Sequence, residues 1–151
     1  KGILIQDRGI ISLDCGTTPN KCSTYIDANN RSFFHRLTVA ENLDYFMALN
    51  KQPTSSCIFQ SLVEEFQIAH LLNEVFSALS VGQMQVVALV RGFLEQPKVL
   101  LVDEALTNID KQRLARIAGY LESFVVGSDR LIIICSHTSI PVKITGTVHL
   151  E

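Results

Sequence analysis

Residues 79–110, LSVGQMQVVALVRGFLEQPKVLLVDEALTNID, restrict the chain more than any other stretch. Ser80 and Gln83 stand three apart, the capping-box pattern in which two side chains satisfy orphan N–H groups of a helix's first turn. Val86, Val87, Leu89, Val90, Phe93 and Leu94 then supply a broad apolar face at helical spacing. Pro97 stops the helix, because proline removes an N–H and clashes with the preceding turn. Val99 to Val102 follow as an apolar run without polar alternation, which suits a strand buried on both faces of a parallel sheet. Asp103 and Glu104 fall where that strand ends, the edge at which open α/β sheets place their ligands.

The remaining composition excludes several classes. A chain of 151 residues is one domain's worth. With 47% hydrophobic residues and a net charge of −2 it has an ordinary globular balance, and no basic excess points to nucleic acid. No apolar run reaches the length of a membrane span, and the first residues do not form a signal peptide. Cys15, Cys22, Cys57 and Cys135 lack metal-ligand spacing and read as free thiols of a reducing compartment.

Around the organising stretch, Lys1 to Leu13 reads as two short strands about a turn at Asp7-Arg8-Gly9. Cys15 to Thr24 echoes the phosphate-loop pattern GxxxxGK[ST], with Lys21 in the Lys position. Cys15 and Asn20 replace both glycines and Pro19 removes an N–H, so an ordinary polar loop is the better reading. Thr24 to Ile26 is a strand. Thr38 and Glu41 form a second capping box, opening a helix lined by Val39, Leu43, Phe46 and Met47. Cys57 to Phe66 has helical spacing, and Ile68, Leu71, Leu72 and Val75 continue it as a shorter helix. His70, in that second segment, reads as a helix-surface residue. Asp110 caps a helix carrying Leu114, Ile117, Ala118 and Leu121 that ends near Gly127. Leu131 to Cys135 is another apolar run and is expected as a second central strand. Thr145 to Leu150 closes the chain as an edge strand.

Several of these pieces together resemble a known family. Leu79-Ser80-Val81-Gly82-Gln83 is similar to the LSGGQ signature of ATP-binding cassette (ABC) ATPases. Val99 to Glu104 resembles their Walker B strand, Ala105 to Asp110 their D-loop, and His137 their switch histidine. Asn29 stands at the place of the Q-loop glutamine. Phe33 to Leu43 resembles the LFPxLTVxENL segment that follows it, in the form closest to export-type systems. Each pattern is weak alone; their shared order is the signal. Taken singly, Asp103 reads as a turn residue and His137 as a polar strand end.

The resemblance implies an α/β, P-loop NTPase-like fold with parallel core strands and an α-helical signature subdomain. It divides 1–151 into strands and a Q-loop-like segment (1–37), a helical subdomain with the signature (38–96), and a core with Walker B, D-loop and switch histidine (97–151). The 38–96 block is too short for the coiled-coil insert of chromosome-maintenance and DNA-repair relatives. The resemblance also places the glycine-rich loop upstream of residue 1, so the P-loop part of the domain is missing from these residues and some sheet surface should be uncovered. The implied ligands are ATP and Mg²⁺. Asp103 would hold the metal, Glu104 and His137 would be catalytic, and Ser80, Gly82, Gln83, Asn29 and Asp110 would meet nucleotide or the opposite subunit. Val81 departs from the family's glycine. The implied partners are a second nucleotide-binding domain and a transmembrane permease, with no nucleic acid, in a cytoplasmic location peripheral to the inner face of the membrane. Phe33 and Phe34, expected as an exposed pair, either pack beneath their loop or meet the permease. Without the glycine-rich loop the 151 residues are expected to be inactive alone. The other reading is a non-catalytic ABC-like interaction module.

Overall fold

Three runs, Ser23–Asp27 (β1), Val99–Asp103 (β2) and Leu131–Cys135 (β3), pair into a parallel sheet of order β1-β2-β3. The computed structural model describes residues 22–51, 57–137 and 139–143. The strands expected over 1–13 and 145–150, and the loop over 15–21, lie outside the described residues. In register, Tyr25, Leu101 and Ile133 form one row and Asp27, Asp103 and Cys135 the next. Parallel neighbours need long crossovers. Between β1 and β2 run helices α1 (Val39–Leu49), α2 (Cys57–Glu65) and α3 (Val81–Leu94); between β2 and β3 runs α4 (Lys111–Val125).

The sheet's two faces differ. Thr24, Ile26, Leu100, Val102, Ile132 and Ile134 share the face on which helices pack, α3 against β1 and α4 against β3. Gly92 makes the α3 contact close, since a Cβ there would lie 2.4 Å from Ile26 Cδ1. The opposite face is open at its β3 side, with Leu131 46% and Ile133 50% exposed. This corrects the expectation for β3. Among the described residues it is an edge strand, whereas β2 is the central one. Apolar composition records a tendency to be buried; it does not supply the neighbour.

The core runs through α1, α2 and α3 to the helix-side face of the sheet. Phe93 lies 4.8 Å from Tyr120, 4.9 Å from Phe124 and 5.7 Å from Phe66, centroid to centroid. Phe33 stacks on Phe76 at 4.4 Å. Phe33 is therefore buried while Phe34 is 45% exposed, so the two are not an exposed pair. Asn42, buried on α1, splits them: its side chain accepts from the Phe34 N–H (2.8 Å) and donates to the Phe34 carbonyl (3.0 Å).

Both capping boxes form, Thr38 with Glu41 and Ser80 with Gln83. The short helix expected from Ile68 to Val75 does not. Only a 3₁₀ turn, Ala69–Leu71, is present, after Gln67 at φ +52°. Tertiary hydrogen bonding decides this. The first-turn N–H groups of Val39 and Ala40, which have no partner within α1, donate to the carbonyls of Glu74 (3.0 Å) and Leu72 (2.9 Å). Those carbonyls would otherwise serve a helix of their own. Cys22 is disulfide-bonded, against the expectation of free thiols, while Cys57 and Cys135 are free. Scattered spacing along the chain does not report which sulfurs meet in space. Among the described residues no helix is long and apolar enough to cross a membrane.

Candidate functional site

The carboxyl ends of the three strands bring Asp27, Asp103 and Cys135 side by side. Glu104 follows Asp103 in the left-handed region at φ +53°, a conformation that is uncommon for a non-glycine residue and concentrates at functional sites. Its N–H still donates to the Cys135 carbonyl (2.9 Å), so the ladder persists while the chain turns. The Glu104 carboxylate Oε1 accepts the His137 N–H at 2.9 Å and lies 3.5 Å from His137 Nε2. The His137 side chain is 93% exposed. Asp103, Glu104 and His137 thus share one edge.

Tyr25 holds Asp103, and Cys135 lies beside it in register. The Tyr25 hydroxyl donates to Oδ2 at 2.7 Å, and this bond, with burial and the carboxylate's charge, pushes the phenol up to about 12. The Cys135 thiol is raised by desolvation and by the charge of, and a hydrogen bond with, Asp103. The Tyr25 phenol therefore stays protonated near neutrality and remains a donor.

The second cluster is the start of α3. Ser80 Oγ accepts the Gln83 N–H (3.3 Å) and Gln83 Oε1 accepts the Ser80 N–H (2.8 Å). Gly82 packs so tightly that a Cβ would lie 2.3 Å from the Asn108 carbonyl oxygen. One turn on, Gln85 Oε1 accepts the Asn108 N–H at 3.0 Å. The loop between Glu104 and Asp110 is thereby strapped to α3. Asp110 caps α4, accepting the Arg113 N–H at 2.9 Å. Because the obstruction at Gly82 is backbone, Gly82→Ala is expected to cost about 1–3 kcal/mol in urea unfolding, the range of overpacking. Gly119→Ala, in α4 with nothing within 4 Å, is expected to stabilise by about 0.5–1 kcal/mol.

Asn29 is exposed in the turn after β1, at the same sheet edge. Its neighbour Asn30 is the buried one, at φ +51°, with its N–H donating to Asp27 Oδ1 (2.8 Å). Arg91, only 8% exposed, donates from Nη1 to Ser32 Oγ (3.1 Å) and from Nη2 to the Tyr25 carbonyl (2.9 Å), tying α3 to β1 and its following loop. It also lies over the rings of Phe46 (5.2 Å) and Phe33 (5.8 Å), and burial lowers its pKa. Sequence reasoning did not single out Arg91, Asn30, Tyr25 or Gln85. For Arg91 a signal exists, one charge inside the run VVALVRGFL.

Comparison with known proteins places this geometry. Residues 2–107, more than half of the chain, match the model of the ABC transporter family. The chain belongs to that family. It is 36% identical over 132 residues to a molybdenum import ATP-binding protein, ModC, of Rhizobium meliloti, covering 80% of this ABC chain and 37% of ModC. It is 31% identical over 122 residues to the molybdate/tungstate import ATP-binding protein WtpC of Pyrococcus horikoshii (77% and 35% covered). The Bacillus subtilis sublancin-168-processing and transport ATP-binding protein SunT is 35% identical over 119 residues (75% and 16% covered). Among solved structures, a dimeric post-hydrolysis state of the ATP-binding cassette MJ0796 with ADP and Pi superposes with a TM-score of 0.67 at 17% identity, over 77% of this chain and 52% of that one. The fold is the α/β, P-loop NTPase-like fold of ABC ATPases. The chain spans about a third of the length of ModC and WtpC (37% and 35%).

Proposed function

We propose that these residues are part of the ATP-binding subunit of an ABC transporter, coupling ATP binding and hydrolysis to transport. The observation that carries the reading is the edge where Asp103 and Glu104 end the central parallel strand and Glu104 is held by the His137 N–H. Glu104 would polarise the attacking water, and His137, exposed beside it, would meet the γ-phosphate. The α3 start offers unpaired N–H groups and a positive dipole end to an anion, with Ser80, Gly82 and Gln83 around it. Asn29 would reach the site from the turn after β1, and Asp110 would face the opposite subunit.

The donor set suits Mg²⁺. Mg²⁺ keeps several waters and takes one or two carboxylates with substrate phosphates. Asp103 supplies such a carboxylate, and among the described residues no group of three or more His, Cys, Asp or Glu gathers into a protein cage. When bound, the ion would neutralise phosphate charge.

A second copy and a permease are the partners proposed, with the chain peripheral to the cytoplasmic face of the membrane. The dimer of MJ0796 supports the first. Phe34, edge-on to the exposed Tyr45 at 4.9 Å, offers the permease an aromatic anchor. Import in the names of ModC and WtpC weighs against the export-type system that Phe33 to Leu43 suggested, and direction is not part of the proposal. The three-part division at 37/38 and 96/97 is likewise proposed. The experiment is ATP titration with Mg²⁺. The 151 residues, without a GxxxxGK[ST] loop, are expected to show neither micromolar binding nor turnover, and the intact subunit to show both. An intact subunit unable to bind ATP would overturn the proposal in favour of a non-catalytic interaction module.

A further inference from the structure

We propose that Tyr25 is a positioning residue for Asp103, holding its carboxylate for a divalent cation; the inference rests on the metal role proposed for Asp103. The placement comes from parallel register. Asp27 pairs with Asp103 and Tyr25 with Leu101, so Tyr25 projects from the same face two residues before the strand's end. Two residues of parallel strand rise about 6.6 Å, a gap that the long tyrosine side chain closes. Its hydroxyl arrives at Asp103 Oδ2 at 2.7 Å.

From the opposite side, Cys135 is in register with Asp103. The Asp103 carboxylate is held by a donor from a flanking strand, the Tyr25 O–H of β1. A carboxylate has about four lone-pair sites. The Tyr25 hydroxyl restrains its orientation and leaves acceptor positions for a metal ion or its bound water. Hydrogen-bond partners of metal-ligating carboxylates act in this way, and losing one commonly weakens metal binding by about 10–100-fold. Phenylalanine keeps the ring and its packing and removes only the hydroxyl.

The test uses Mn²⁺ alone, an ion suited to the same oxygen ligands as Mg²⁺, and electron paramagnetic resonance of free Mn²⁺ over the 151-residue chain. Wild type, Tyr25→Phe and Asp103→Asn are compared, with circular dichroism as the check on folding. Asp103→Asn is expected to lose the site, and Tyr25→Phe to raise its Kd about tenfold. Tyr25→Phe with an unchanged or lower Kd, while Asp103→Asn loses binding, overturns the positioning role and leaves the metal role standing. Binding that is absent from wild type, or retained in Asp103→Asn, overturns both. A second measurement needs no variant: Mn²⁺ at Asp103 should broaden the Tyr25 ring protons in NMR spectra well before those of Tyr45, and equal broadening counts against the proposal.

Discussion

Glu104→Gln in the intact ATP-binding subunit is expected to lower ATP turnover by about a hundredfold to ten-thousandfold, the usual contribution of a positioned general base. Stability should hardly change. Glutamine is the same size and retains a side-chain oxygen, so the acceptor for the His137 N–H, now at 2.9 Å, survives. The backbone turn at φ +53° asks the same of either residue. What disappears is the negative charge that would draw a proton from the attacking water. Phosphate release and urea unfolding, measured on one preparation, separate the two effects. Glu104→Ala adds a contrast: it removes the acceptor as well and should cost about 1 kcal/mol of stability. Turnover within threefold of wild type in Glu104→Gln would assign Glu104 a structural role only.

Which features the sequence could announce follows from how local they are. The capping boxes at Thr38 and Ser80 involve residues three apart, so the pattern holds nearly all the information their geometry needs. Asp110 as a cap and the apolar runs of β2 and β3 were legible for the same reason. The segment from Ile68 to Val75 shows the opposite. Its helical spacing is real, but the free N–H groups at the start of α1 claim its carbonyls, and nothing within eight residues predicts that. Tyr25 and Asp103 are 78 positions apart, Arg91 and the Tyr25 carbonyl 66. Such links exist only once parallel register and helix packing have been set. Gly82 is instructive in another way. The sequence did not announce its close approach to the chain's own Asn108 carbonyl.

The largest expected loss of stability follows truncation of Phe93, which joins elements distant in sequence. Its ring, 2% exposed, touches Phe66 just after α2 and both Tyr120 and Phe124 of α4. Removing it from α3 leaves a space bounded by three rings on two other elements, and none can fill it without leaving its own partners. Phe93→Ala should therefore cost about 3–5 kcal/mol, the range for a buried phenylalanine. That is a large share of the roughly 5–15 kcal/mol by which domains are stable. With a urea slope of about 2 kcal/mol per molar, the unfolding midpoint should fall by roughly 1.5–2.5 M. Phe34→Ala is the internal control, because Phe34 is 45% exposed and meets only Tyr45 among the ring contacts of the described residues. It should cost less than about 1 kcal/mol, in keeping with a surface substitution. If the two midpoints shifted equally, Phe93 would not be the joint between α3 and α4, and α4 would have to be held to the sheet by its contact with β3 alone.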